Sequence, residues 1–273
     1  MRIDAHQHFW RYHPARDTWI TEKMSVLRRD FLPEHLAPEL AAARMDATVA
    51  VQTGQSEEDT EFLLGLTREN PSIAGVVGWV DLRAAKVGER LEYFSEFGKL
   101  RGFRHIAQSE PDDCFLVRKD FLRGISLLER FHFTYDILIY PRQLPAAAEL
   151  VTRFPRQKFV VDHVAKPPIR TGEIDPWAGW MRRIGEHENV YCKLSGLVTE
   201  ADWRAWRPND FKPYLDIIFN IFGVNRLMFG SDWPVCLVAA NYSQVCSLIS
   251  DYAATGHEQI FGRNAARFYG LTA

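Results

Sequence analysis

The sequence has no CxxC pair. Its four cysteines, Cys114, Cys192, Cys236 and Cys246, are scattered, which excludes the common thiolate metal sites and a redox-active dithiol. They read as reduced thiols, and neither Cys192 nor Cys236, both in strand-like segments, has a base partner that would make it a nucleophile. No apolar run is long enough to cross a bilayer, and the N-terminal MRIDAHQHFW has no apolar signal core. A cytoplasmic protein with no membrane partner is therefore expected. Lys and Arg are spread along a chain of net charge -2, without the clustered basic patch that a nucleic-acid surface needs. No GxGxxG follows the first apolar segment, which counts against a dinucleotide-binding, doubly wound sheet. No Pro/Gly/Ser-rich linker, low-complexity tract or fixed-period repeat divides the chain, so residues 1–273 read as one domain.

What the chain does have is apolar content, 47%, ample for a large core. Short apolar segments rich in Val, Ile, Phe and Tyr fall at residues 2–8, 48–53, 74–80, 102–106, 133–139, 159–163, 190–194 and 227–230. Several are apolar throughout, as strands buried on both faces should be. Helical patterns lie between them. Ser56-Glu57-Glu58-Asp59 reads as an N-cap with an acidic first turn, followed by Phe62, Leu63 and Leu66 at helical spacing and a stop at Asn70-Pro71. Val87, Leu91 and Phe94 repeat the spacing, as do Phe121, Ile125 and Leu128, and then Leu215, Ile218 and Phe222 with Gly223 as terminator. Eight strand–helix alternations predict an α/β protein with a closed (β/α)8 TIM barrel, a fold that takes roughly 250 residues. The connection over residues 9–46 is unusually long. It carries Trp10, Tyr12, His13, Trp19 and a helix over 33–45, and fits either an active-site cover or an aromatic plug of the barrel mouth.

Residues two apart on a strand point the same way, so His6 and His8 project together from the end of the first segment, with Asp4 expected deeper on the same face. Such a pair can share a metal or flank a substrate, although an isolated HxH is more often ordinary polar residues at a strand end. His163 ends the apolar run of VDHVAKP. Asp232 follows the apolar run of LMFGSDWPV, where a carboxylate can be a metal ligand or general base, or merely an N-cap or turn residue. The first and eighth strands of a closed barrel are neighbours, so all four groups converge at one mouth. Further polar or aromatic residues at strand ends form an expected substrate shell. Arg104 suits a carbonyl or carboxylate oxygen; His105, Lys166, Gln52, Tyr140 and Ser195 suit hydroxyls; Trp79 suits stacking on a sugar ring. Each has a structural alternative, such as an Arg104–Asp136 pair inside the barrel, and Lys193 reads as a barrel-interior residue with an ion pair of its own.

HxH on the first strand, His on the sixth and Asp after the eighth resembles the amidohydrolase superfamily. VDHVAKP, LMFGSDWPV and Ile260-Phe261-Gly262-Arg263-Asn264-Ala265-Ala266-Arg267 are similar to its sugar-lactonase branch, which includes L-fuconolactonases, L-rhamnonolactonases and 2-pyrone-4,6-dicarboxylate lactonases. The likeness spans essentially the whole chain. The chain departs from many superfamily members in having no Lys on the fourth segment and no His on the fifth. A two-metal centre is thus not expected. The resemblance implies at most one divalent ion, Zn2+ held by His6, His8, His163 and Asp232, or none, as in some enzymes of the branch. It also implies hydrolysis of a sugar-acid lactone, with Asp232 as general base and His163 orienting or polarising the carbonyl. A metal-dependent decarboxylase on the same barrel and a non-catalytic sugar-acid-binding barrel remain the alternatives. The expected partner is a small-molecule lactone, and a homo-oligomer stays open.

Overall fold

A computed structural model describes residues 1–272. Eight strands lie in sequence order around one sheet: β1 Ile3–Gln7, β2 Ala47–Val51, β3 Ile73–Gly78, β4 Leu100–His105, β5 Thr134–Ile137, β6 Phe159–Val161, β7 Val190–Leu194 and β8 Leu227–Phe229. Every adjacent pair is parallel. One helix follows each strand: α1 Pro33–Ala42, α2 Glu57–Leu66, α3 Val87–Ser95, α4 Lys119–Leu128, α5 Leu144–Arg153, α6 Trp177–Gly185, α7 Pro208–Phe222 and α8 Tyr242–Tyr252. A short α9, Asn264–Tyr269, comes last. This is the eight-fold barrel expected from the alternation.

Closure between β8 and β1 does not use a regular ladder. β8 is three residues long, and the ring is joined just beyond it. The Asp232 N–H donates to His6 O at 2.8 Å and the His8 N–H to Trp233 O at 2.7 Å. Closure therefore runs through His6, His8 and Asp232, three of the residues expected to form the site.

Two apolar layers explain the uninterrupted apolar strands. Ile3, Ala5, Val49, Val51, Val77, Val160 and Met228 fill the interior, sealed from below by Phe268, Tyr269 and Leu271 after the last turn of chain. The outward residues meet the helices. Val87, Leu91 and Phe94 of α3, Phe121, Ile125 and Leu128 of α4, and Leu215, Ile218 and Phe222 of α7 are all buried at the predicted spacing. Gly223, at φ +57°, ends α7 where a side chain would be strained. Ser56 caps α2, accepting from the Asp59 N–H at 3.2 Å. Asp59 itself turns back to accept from Thr53 N and Gly54 N.

Three expectations need correction. The helix expected over 33–45 stops at Ala42, because Arg44 adopts a left-handed turn, φ +54°, that redirects the chain into β2. Most strands end one or two residues earlier than the apolar runs, because their last residues leave the ladder to face the mouth. Asp4 does not share the face of His6. Its pairing register, Asp4 with Thr48 and then Gln7 with Ala50, contains an extra residue on β1, a bulge that resets the alternation. Asp4 points outward, accepting from Tyr242 Oη at 3.0 Å and Ser231 N at 2.9 Å, and burial pushes its carboxyl up to about 6.

In the C-terminal motif, the Asn264 side chain donates from Nδ2 to Val224 O at 2.7 Å and Leu227 O at 2.6 Å, tying α9 to the foot of β8. Asn264→Ala strands both carbonyls in the interior and is expected to cost about 2–4 kcal/mol by denaturant titration. A loss within 0.5 kcal/mol, roughly the level of a surface substitution, would contradict this role.

Candidate active site

The mouth is assembled from strand ends. His8 Nδ1 lies 2.7 Å from Val51 O, so its proton sits there and Nε2 faces inward, 3.3 Å from Asp232 Oδ1. His6 Nε2 is 3.2 Å from His8 Nε2 and 3.8 Å from the same carboxylate oxygen, and His163 Nε2 is also 3.8 Å from it. Three imidazoles, His6 and His8 from the end of β1 and His163 from the end of β6, thus meet the one carboxylate oxygen Asp232 Oδ1. A tetrahedral ion with ligands at 2.0–2.1 Å requires donor separations of about 3.3 Å. The His6, His8 and Asp232 atoms, at 3.2 to 3.8 Å, match that spacing, so this set fits one divalent ion. Each imidazole has an outer partner that fixes its ring: Val51 O for His8, Ser195 Oγ at 2.9 Å for His163 Nδ1, and Asp162 Oδ1 at 3.3 Å for His6 Nδ1.

Beneath lies a buried charge network. Lys193 Nζ is 2.5 Å from Asp136 and 3.0 Å from Asp162, Arg104 Nη1 is 3.0 Å from Asp162, and Tyr269 Oη donates to Asp136 at 2.8 Å. Lys193 and Arg104 balance the two carboxylates, the condition under which buried charge is tolerated. Burial pushes Asp136 up to about 6, whereas Lys193, His6 and Arg104 outweigh burial at Asp162 and hold it well below the carboxylate range. The Arg104–Asp136 pair, the structural alternative for Arg104, does not form. The two residues are in register on β4 and β5, but Lys193 and Tyr269 already satisfy Asp136. Arg104 leans up to Asp162, to Gln52 O and to within 3.2 Å of His6 Nε2. Lys193 is the interior ion-paired residue that was expected.

Past β6 the backbone does something rare. His163, Val164, Ala165 and Lys166 are all left-handed, with φ between +49° and +55°. Such residues cost roughly 1–2 kcal/mol each, and more for a β-branched Val. Trp177 Nε1, donating to Val164 O at 2.9 Å, and the Lys166 N–H, donating to His163 O at 2.8 Å, hold the turn. The strain aims both His163 and Lys166 at the mouth. Gly196, at φ +60°, lets the His163 ring lie flat on the chain; a Cβ there would meet His163 Nδ1 at 2.5 Å. Asp232 is also left-handed, at φ +55°.

Over this floor opens a cavity of about 510 Å³, lined by His8, Arg104, His163 and Asp232 below and by Tyr140, Lys166, Glu200 and Trp203 on the walls. Trp19 and Met24 of the long 9–46 connection line it too, while Trp10 of that connection packs on Phe31. The connection is thus both cover and aromatic plug. Of the expected substrate shell, Arg104, Lys166 and Tyr140 reach the cavity. Ser195 stands behind His163, and Gln52 donates to Arg104 O at 3.1 Å. His105 stacks on Phe115, paired with Glu110 at 2.6 Å and approached by Trp79 Nε1, so neither His105 nor Trp79 lines the cavity. Asp162, Glu200 and Trp203 were not foreseen. Asp162 could have been sought as the acid next to His163. Glu200 and Trp203 sit in a connection without apolar periodicity.

His, His, His and Asp at the C-terminal mouth of a (β/α)8 barrel, around a carboxylate that could hold a metal, form the site of a barrel of the amidohydrolase type. The chain belongs to the amidohydrolase family, whose model matches residues 3–271. It is 43% identical to an L-fucono-1,5-lactonase of Burkholderia multivorans, over 99% of this chain and 96% of that protein. It is 35% identical to an L-fucono-1,5-lactonase of Burkholderia ambifaria, over 98% of this chain and 95% of that one. A crystal structure of a Burkholderia multivorans amidohydrolase with bound zinc, 43% identical, superposes with TM-score 0.94 over the whole of both chains.

Removing one partner from a buried charge network costs about 3–5 kcal/mol. Lys193→Met, which leaves Asp136 and Asp162 short of one cation, is expected to lose that much in chemical denaturation. A variant as stable as the parent would show that the network is not balanced by Lys193.

Proposed function

We propose that the chain hydrolyses the lactone of a sugar acid, such as an L-fucono- or L-rhamnono-lactone, to the open acid by direct attack of water. The observation that carries this is Asp232 Oδ1, within 3.3 to 3.8 Å of three imidazoles on the floor of a cavity of small-molecule size. The relatives that resemble the chain end to end are named for the same chemistry.

Asp232 is the proton acceptor. Burial would raise its carboxyl, but His163, His8 and His6 together hold it below the ordinary carboxylate range, so it is ionised at neutral pH. It takes a proton from the attacking water and, once protonated, returns it to the leaving ring oxygen. Burial lowers His163 to about 4, so the ring is neutral at working pH. With the Ser195 hydroxyl donating to Nδ1, the Nε2–H of His163 is a donor for the carbonyl as it becomes an oxyanion. Arg104, held by Asp162, adds positive potential on the same side. His6, His8 and Asp232, with His163 beside them, would hold at most one divalent ion, and two imidazoles plus a carboxylate suit Zn2+. Such an ion would supply Lewis-acid polarisation of the lactone carbonyl.

A pH-indicator screen against aldonolactones tests the reading, with stoichiometric acid and no carbon dioxide expected; release of carbon dioxide from an unsaturated acid would replace it with decarboxylation. Asp232→Asn is expected to lower kcat by about 10²–10⁴-fold with a smaller change in KM, while the protein stays folded. Because the carboxyl of Asp232 is depressed, its active, ionised form is present at neutral pH and is lost only as pH falls through the depressed value. The parent's kcat/KM should therefore hold through mild acid, with His163 charging only near 4. An acidic limb centred near neutrality would contradict both assignments. Elemental analysis is expected to find no more than one tightly bound divalent ion per chain; two would rule out the single-site reading.

A further inference from the structure

The cavity wall above Asp232 carries charge that the hydrolysis does not use. Lys166, delivered by the left-handed turn after β6, faces Glu200, delivered by a short helical turn after β7, with 3.4 Å between Nζ and Oε1. Both line the cavity and both are largely enclosed, with side-chain exposures of 14% and 21%. Lys166 Nζ also lies 5.2 Å over the Tyr140 ring. Beside them Trp203 is pinned by its Nε1–H, which donates to Thr199 O at 2.8 Å, and its indole lines the same wall.

Charge accounting then limits what can bind. Two Lys/Arg side chains line the cavity, Arg104 and Lys166, and each faces a protein carboxylate, Asp162 and Glu200 respectively. The cavity also exposes the carboxylates of Asp232 and Glu200. On the wall above the floor, away from the ion that His6, His8 and Asp232 could hold, a substrate carboxylate group would find no uncommitted side-chain cation and would meet the like charge of Glu200, whereas a neutral ring meets no such opposition. A carboxylate accepts only and an ammonium donates only, so held side by side they match neighbouring ring hydroxyls, each of which donates and accepts. The indole offers an apolar face to the C–H side of the ring.

Resting on the lactonase reading, we propose that Glu200, paired with Lys166, is the specificity-determining residue of this cavity. It accepts hydrogen bonds from adjacent hydroxyls of a neutral polyhydroxylated lactone and excludes lactones that carry a carboxylate. The leaving oxygen and the water remain with Asp232, so Glu200 acts on substrate choice and not on the bond that breaks.

The test measures kcat and KM for the parent, Glu200→Gln and Glu200→Asp on three lactones of equal ring size: a neutral aldonolactone, the unsubstituted lactone, and a hydroxylated lactone bearing one carboxylate. Hydrogen bonds to a charged group support about a 10- to 100-fold preference. Glu200→Gln is expected to reduce the ratio of kcat/KM for the aldonolactone over the unsubstituted lactone by that factor, mainly through KM. The same change should raise the relative rate on the carboxylate-bearing lactone. Glu200→Asp, which keeps the charge, should recover part of both preferences. Equal losses on all three lactones, or ratios unchanged from the parent, would overturn the proposal while leaving the lactonase reading intact. A parent that hydrolyses none of the three would overturn both.

Discussion

The hydrogen bond from the Asp232 N–H to His6 O, 2.8 Å long, joins the last strand to the first and places the carboxylate beside the two histidines in a single contact. A longer β8 would have carried the ladder past this point and left no room for the left-handed turn at Asp232. Because β8 stops after Phe229, the chain bends at Gly230, where a Cβ would sit 2.5 Å from His6 Cβ. Barrel closure and the placing of the Asp232 carboxylate beside the histidines thus share one constraint. Any change that loosens the seam between β1 and β8 also separates Asp232 Oδ1 from His6 and His8.

The rest of the site works by holding His6, His163 and Arg104 still. The Lys193–Asp136–Asp162–Arg104 network runs from Tyr269 at the bottom of the barrel to the ring of His6 at the top. Every charge in it is buried and faces an opposite charge. The four left-handed residues after β6 are the complementary device: a strained turn, braced by Trp177 and packed against Gly196, that fixes His163 below and Lys166 above it. Strain of this kind persists only when the surroundings over-determine it.

The barrel was legible because its strands are apolar on both faces and its helices keep their apolar stripe. His6, His8, His163 and Asp232 were legible because each follows or ends such a run. What was hidden depends on departures from regular geometry. Simple alternation put Asp4 with His6, and a bulge undid it. Alternation would also set Asp162 and His163 on opposite faces, yet the left-handed turn that begins at His163 lets both serve the mouth, one from beneath and one within. Glu200 and Trp203 come from a connection whose path is set by its contacts with other loops, and no periodicity marks it. Trp79 and His105 illustrate the reverse: at a strand end they looked like substrate ligands, but their side chains point to the helical layer and satisfy each other and Glu110.

The central claim is that Asp232 activates water and does not itself attack the lactone. A single turnover in water enriched in oxygen-18, with enzyme in excess over lactone, separates the two routes. Direct attack of water, as the geometry around Asp232 Oδ1 supports, is expected to place one heavy oxygen in the carboxylate of the product and none in the protein. An unlabelled product together with heavy oxygen in the peptide that contains Asp232 would mean that the carboxylate is the nucleophile, and would contradict the account.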